Sequence, residues 1–388
     1  MHSPALTSRL PHVGNTIFSV MSALAAQHNA VNLGQGFPDF GCDPTLIDLV
    51  TDAMQQGHNQ YPPMAGVPVL REAVAKKIEQ QSGHRYDPAT DITITAGATQ
   101  AIMCAIQCCV HPGDEVILIE PAYDCYLPAI ELTGARAVPV AMRLNADGFS
   151  IPWDRLAASI SSKTRLIILN SPNNPTGSVL SMADYDALAD ILRQPEHQQI
   201  LILADEVYEH MVYDGQRHVS ISAHPELARR AFVISSFGKT FHVTGWKVGY
   251  VCAPLAMSAE FRKVHQFTVF TVNTPMQYGI AAYLQDPGPY LNLSDFYQVK
   301  RDLFRDGLKQ SRFQLLPAQG TYFQCVDYRA ISELPELEFA TWLTREVGVA
   351  AIPVSAFYRS GMESGLVRFC FAKQELTLHQ ALDRLAQI

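Results

Sequence analysis

Ile200-Leu201-Ile202-Leu203-Ala204, followed at once by Asp205-Glu206-Val207-Tyr208, decides how the rest of the chain is read. An apolar run without alternation predicts a strand covered on both faces, the habit of parallel strands packed between helices. The same signature stands upstream in Arg165–Asn170 and Glu115–Glu120, Asp91–Ala96 is strand-like, and Phe232–Ser236 and Lys247–Cys252 extend the same sheet. Between these runs lie helix-period stretches, Ala98–Val110 and Ala122–Thr133, and Ser181 with Asp184 opens a further helix as a capping box. Such alternation predicts an α/β fold, a mainly parallel sheet with helices on both faces.

Beyond residue 290 the style changes. A helix over Leu293–Ser311 precedes strands at Thr321–Asp327, Val349–Pro353 and Val367–Phe371, with helices at Leu337–Glu346 and Leu376–Ala386, which together read as an α+β module. The first 45 residues, with Gly34-Gln35-Gly36-Phe37-Pro38, read as an extended arm returning to one of the domains. The expected division is therefore residues 1–45 as arm and part of the small domain, 46–290 as the large domain and 291–388 as the small domain. At about 150 residues per domain, 388 residues suit two domains.

Composition narrows the function. With 29 Lys plus Arg against 37 Asp plus Glu, the formal net charge is −8, opposite to the surplus a generic nucleic-acid binder needs. No apolar run approaches the ~18 residues of a membrane span, so no membrane partner is expected. The eight cysteines show no C-x-x-C spacing and no secretory leader precedes them, which predicts free thiols in the cytoplasm. Cys104, Cys108, Cys109 and His111 crowd one segment, yet Cys104 and Cys108 lie four apart on an apolar helix and read as small core residues, so no metal is expected.

In open α/β sheets ligands sit beyond the carboxyl ends of the strands, so the residues that follow each strand matter most. Gly97-Ala98-Thr99 opens a helix, where small residues let an anion approach backbone N–H groups. Asn173 and Asn174 follow the Arg165–Asn170 strand with hydrogen-bonding amides. Asp205 ends an apolar run, where a carboxylate calls for a cation such as a protonated ring nitrogen, although on its own the residue reads better as a helix N-cap. Ser236-Phe237-Gly238-Lys239-Thr240 imitates a P-loop ending, but Val233 stands where that motif needs glycine. It also imitates the Ser-x-x-Lys nucleophile motif, whose companions are absent. What remains is a lysine in an apolar core, whose desolvated amine suits Schiff-base chemistry.

Taken together, Asn174-Pro175-Thr176-Gly177, Asp205-Glu206-Val207-Tyr208, Ser236-Phe237-Gly238-Lys239 and Gly245-Trp246-Lys247-Val248-Gly249, with Arg368 in the C-terminal module, resemble the fold-type I pyridoxal-phosphate aminotransferases of classes I and II. Asn32-Leu33-Gly34-Gln35-Gly36-Phe37-Pro38-Asp39, Asn59-Gln60-Tyr61 and Val367–Lys373 look closest to the methionine and kynurenine aminotransferase (glutamine transaminase K) branch. The resemblance implies a large domain with a seven-stranded sheet, a small α+β domain, and pyridoxal 5'-phosphate as cofactor. Lys239 is then expected to hold the cofactor as a Schiff base and move the substrate's α-proton, Asp205 to face the pyridine nitrogen, Tyr208 to hydrogen-bond the phenolic oxygen and Tyr123 to stack on the ring. Ala98, Thr99, Ser236 and Lys247 would hold the phosphate, with Tyr61 arriving from the neighbouring subunit of a homodimer with shared active sites. Asn174 would touch both cofactor and substrate.

Arg368 would take the substrate carboxylate as a bidentate pair, assisted by Asn174 and the backbone of Gly36. Phe18, Tyr123 and Phe270 are the expected side-chain walls. No second arginine matches a distal carboxylate, and Thr271 stands where some relatives carry histidine. The implied activity is transfer of the amino group of methionine or other large neutral or aromatic amino acids, glutamine and kynurenine included, to a 2-oxo acid. A β-lyase acting on cysteine conjugates or cystathionine would use the same residues, and a non-catalytic regulator would keep the fold while losing the chemistry.

Overall fold

The computed structural model describes residues 6–388, so the first five residues of the expected arm lie outside the described residues. The central sheet comprises β1 (Ile92–Thr95), β2 (Glu115–Glu120), β3 (Arg136–Ala141), β4 (Thr164–Asn170), β5 (Leu201–Asp205), β6 (Ala231–Ser236) and β7 (Gly249–Cys252). Their spatial order is β1-β7-β6-β5-β4-β2-β3. All neighbouring pairs are parallel except those made by β7, which runs antiparallel to both β6 and β1. Ile202 and Leu203 point to opposite faces of β5 and both are fully buried, which is why the run lacks alternation.

β3 escapes the apolar-run signature. It forms an edge of the sheet, only Ala137 and Val140 of its six residues are buried, and it contains Pro139, which lacks a ladder donor and is tolerated there because one side of the strand has no neighbour. Helices Pro44–Gln55, Pro68–Ser82, Leu255–Thr268 and Thr274–Tyr283, also absent from the sequence reading, complete the cover. Gly279 lets two of them cross closely, since a Cβ there would lie 2.4 Å from Val50 Cγ2. The helix expected from Ala122 begins only at Tyr126, because Ala122 N donates to Phe357 O at 2.8 Å and ties the preceding segment to the C-terminal module.

That module is an antiparallel sheet of β8 (Gln314–Leu315), β9 (Phe323–Asp327), β10 (Ile352–Pro353) and β11 (Leu366–Cys370), in the order β8-β9-β11-β10. The arm is not extended throughout: Ile17–Gln27 is helical, and only Val31–Asn32 forms a strand, paired in parallel with Val349–Ala350. The strand expected over Val349–Pro353 thus divides between two sheets. Helix Glu336–Trp342 widens into a π turn over Leu343–Val347. Among the described residues no helix is long and apolar enough to cross a membrane.

Candidate active site

Strand register brings the site together. Asn170 pairs with Asp205, and Gly249 pairs with both Ser236 and Thr95, so the ends of β1, β4, β5 and β6 share one edge with the start of β7. Because β7 is reversed, Lys247, two residues before it, arrives at this same edge. A cavity of about 290 Å³ opens there, between the edge and the C-terminal sheet.

One wall is built for close approach. Helix Gly97–Cys109 starts at Gly97, whose φ of +75° is left-handed and suits glycine. A Cβ on Gly249 would lie 2.7 Å from Ser235 O and 3.2 Å from Ala98 N, so the two segments pack backbone to backbone. The helix start at Ala98 and Thr99 then lines the cavity beside Ser236 and Lys247. Orphan N–H groups of a first helical turn, the positive dipole end, a hydroxyl and an ammonium together fit a dianionic phosphate. Ser236 caps its own short helix by accepting from Gly238 N at 3.2 Å.

Lys239 sits on that helix, Phe237–Thr240. Its Nζ donates to Gly36 O at 3.0 Å and to Tyr322 Oη at 2.8 Å. Burial lowers the amine's pKa to about 8. Asp205 is not a helix cap, since turns follow it, although its Oδ1 does accept from Val207 N at 3.2 Å. Tyr126 Oη donates to Asp205 Oδ2 at 2.6 Å. Burial raises the Asp205 carboxyl to about 6, against the opposing pull of the Tyr126 bond. Burial also raises the Tyr208 phenol, keeping it a hydrogen-bond donor at neutral pH.

Arg368, on β11, is 1% exposed and makes no ion pair with a carboxylate among the described residues. Nη1 donates to Asn174 Oδ1 at 2.6 Å and Nη2 to Gly34 O at 2.8 Å, while Nε has no partner among the described residues. The guanidinium lies 3.8 Å from the Phe323 ring centre and 5.3 Å from that of Phe18. Leaving a buried guanidinium without an anion is costly, so its fixed fork is suited to a carboxylate brought from outside. Phe18, Gly36, Tyr123 and Asn174 line the same cavity.

A lysine with a lowered pKa, a buried carboxylate, a phosphate cradle and an anion-ready arginine thus share one cavity. Residues 28–385 match the family described as aminotransferase class I and II. The chain is 50% identical to methionine aminotransferase of Escherichia coli K12, with 98% of each chain covered. It belongs to the class I and II aminotransferases. It superposes on the crystal structure of YbdL from Escherichia coli, a methionine aminotransferase, with a TM-score of 0.96 over all of both chains at 49% identity. Kynurenine–oxoglutarate transaminase 1 of Mus musculus is 34% identical, over 97% of this chain and 96% of that one.

Two expected residues of this aminotransferase stand apart from the cavity of their own chain. Tyr61 is 79% exposed and Phe270 47% exposed, and they meet each other edge to face with ring centres 5.2 Å apart. Phe270 is therefore not a wall of the pocket within one protomer, because the helix end at Thr268 carries it outward at a left-handed φ of +65°. Sequence reasoning missed Tyr126, Tyr322 and Phe323. Each reads as a core aromatic in one dimension, and only the fold aims the two hydroxyls at Asp205 and Lys239. The cysteines are all unpaired, and no group of three or more metal-ligating side chains exists among the described residues. Cys108 and Cys109 instead donate to Ala105 O.

Proposed function

We propose that this aminotransferase transfers the amino group of methionine and other large neutral or aromatic amino acids to a 2-oxo acid, with pyridoxal 5'-phosphate as cofactor. The observation that carries the reading is the buried Arg368 fork with its unpartnered Nε, facing the same cavity as Lys239. Every amino acid offers such a fork a carboxylate. Arg368 is the only arginine lining the cavity among the described residues, and Phe18 and Tyr123 supply aromatic walls, which favours an uncharged side chain over a second carboxylate. The identity to a methionine aminotransferase points the same way.

When bound, the cofactor supplies an aldehyde for amine condensation and an electron-poor ring that stabilises negative charge at the substrate's α-carbon. Ala98, Thr99, Ser236 and Lys247 would hold its phosphate, Tyr123 would pack on its ring, Asp205 would pair with its ring nitrogen, and Tyr208 and Asn174 would hydrogen-bond it. Lys239, with a pKa near 8, has a reactive unprotonated fraction at neutral pH and can both take and return the α-proton. Arg368 and Asn174 orient the α-carboxylate, with the Gly36 segment closing that end. Exposed and outside its own cavity, Tyr61 would reach the cofactor phosphate of a neighbouring subunit in a homodimer. Residues 46–290 form the cofactor-holding domain, and residues 1–45 with 291–388 the carboxylate-recognising one. The free thiols suit a cytoplasmic setting.

A donor-by-acceptor panel tests the reading. Methionine with a 2-oxo acid should yield 2-oxo-4-methylthiobutanoate, and the purified enzyme should absorb visible light through a band that Lys239→Ala abolishes. Pyruvate and ammonia from a cysteine S-conjugate, without transamination of methionine, phenylalanine or glutamine, would overturn it in favour of the β-lyase. Sedimentation should give twice the 42.9 kDa chain mass.

A further inference from the structure

The acceptors that hold the Lys239 amine, Gly36 O and Tyr322 Oη, are both neutral. The Tyr322 hydroxyl gives its single proton to Gly36 O at 2.6 Å, so toward the lysine it can only accept. Tyr322 is fully buried, packed edge to face against Tyr208 and Phe323 with ring centres at 5.3 and 4.9 Å, and its carbonyl accepts from Phe371 N at 3.0 Å. Thr321 precedes it at a left-handed φ of +65°, a conformation that β-branched residues rarely adopt. Hydrogen bonds keep it there: Thr321 N donates to Met211 O at 2.9 Å, and Thr321 O accepts from Tyr213 Oη. Strain held by several partners marks a place where the direction of the chain matters, and the side chain it directs is that of Tyr322.

A neutral amine has two N–H bonds and an ammonium three. Gly36 and Tyr322 satisfy two, and the third proton of the charged form has no acceptor at hydrogen-bond distance among the described residues. That proton is the mobile one. When the amine takes the α-proton of an amino acid, the C–H electron pair stays with the substrate, the amine becomes an ammonium, and the N–H that neither acceptor holds is free to be returned. Burial is the largest influence on this amine; Cys370 and Asp205 favour its charged form, Arg368 and Lys247 oppose it, and the Tyr208 ring centre lies 5.5 Å away.

We propose that Tyr322 is a positioning residue for the α-proton transfer: its hydroxyl, oriented by Gly36, holds the Lys239 amine in the cavity whenever that amine is not joined to the cofactor. The proposal rests on the transaminase reading, since only a reaction that moves an α-proton needs a free amine kept in place. Without the hydroxyl the amine keeps one anchor, and its long side chain regains rotamers from which no transfer occurs.

Tyr322→Phe removes the oxygen and keeps the ring. In the cofactor-loaded enzyme kcat for methionine should fall about tenfold or more with KM and the visible band little changed, and the isotope effect from α-deuterated methionine should rise as proton transfer slows. In cofactor-free enzyme the midpoint for borohydride trapping of Lys239 by pyridoxal phosphate should drop by about one pH unit, because the ammonium has lost an acceptor. A merely loosened core would admit water and move the midpoint up toward 10.5 instead. Tyr297→Phe is the control, since its buried hydroxyl has no partner among the described residues and its ring centre lies 5.6 Å from that of Tyr322; it should change none of these readouts. In a crystal of the wild-type enzyme with pyridoxamine phosphate, which leaves Lys239 free, Nζ should stay within hydrogen-bond distance of Tyr322 Oη. An unmoved isotope effect and midpoint, a midpoint moved upward, equal losses in Tyr297→Phe, or an amine detached from Tyr322 in that crystal would each overturn the proposal while the transaminase reading stands. Wild-type enzyme that moves no α-proton of methionine, phenylalanine or glutamine would overturn both.

Discussion

Arg368 donates to Asn174 across 194 residues of sequence, joining the C-terminal antiparallel sheet to the loop that leaves β4. The bond places the fork at the domain junction and presets one nitrogen, so a substrate carboxylate meets a guanidinium already held in plane by Phe323. Rigidity here lowers the entropy lost on binding.

Replacing that fork by a point charge should therefore be costly. Arg368→Lys is expected to lower kcat/KM for methionine by about 10- to 100-fold, as removal of a charge-assisted bidentate contact does. Cofactor affinity, read from visible absorption, should change little. Equal activity in wild type and variant would remove Arg368 from carboxylate recognition.

Tyr126 is the strongest of the groups that hold the Asp205 carboxyl down, ahead of the Val207 backbone bond and the Lys239 charge. In Tyr126→Phe the carboxyl should titrate about one unit higher or more, because a strong hydrogen bond to the ionised form is gone. In the wild type cofactor affinity is expected to fall as pH drops through about 6, since a protonated carboxyl no longer offers a negative charge to the ring cation. The same fall should start at higher pH in the variant, and unchanged binding curves would contradict the assignment.

The Lys239 amine should behave as a base of pKa about 8. In cofactor-free enzyme its condensation with pyridoxal phosphate, trapped by borohydride, should climb about tenfold per pH unit below that value and level off above it. The sign follows from burial, which disfavours the charged ammonium and enriches the reactive free amine. A plateau reached only near the ordinary 10.5 would show the amine to be solvated.

Gly279→Ala tests the helix crossing alone. Its Cβ would meet Val50 Cγ2 at 2.4 Å and the Val50 backbone at 3.0 Å, so a destabilisation of about 1–3 kcal/mol is expected, read as a lower Tm. Turnover per folded molecule should be unchanged, since the crossing lies away from the cavity.

The runs at Glu115–Glu120, Arg165–Asn170 and Ile200–Ala204 were legible because strands buried on both faces must be apolar at every position. β3 was not, since this edge strand carries proline and buries only two of its six residues. Lys239 and Asp205 stood out as charges inside apolar sequence, where water cannot solvate them. Tyr126 and Tyr322 did not, because an aromatic in a core segment looks the same whether its hydroxyl reaches a carboxylate or nothing.

One-dimensional order thus carries the fold class, the strand ends and the identity of the reactive amine, all properties of local composition and spacing. Three-dimensional packing alone reverses β7 so that Lys247 joins the cradle, turns Phe270 and Tyr61 away from their own cavity, and sets Glu206 and Glu209 back to back with Asp205 and Tyr208. Strand direction and side-chain aim depend on partners far away in the chain, and no local stretch encodes them.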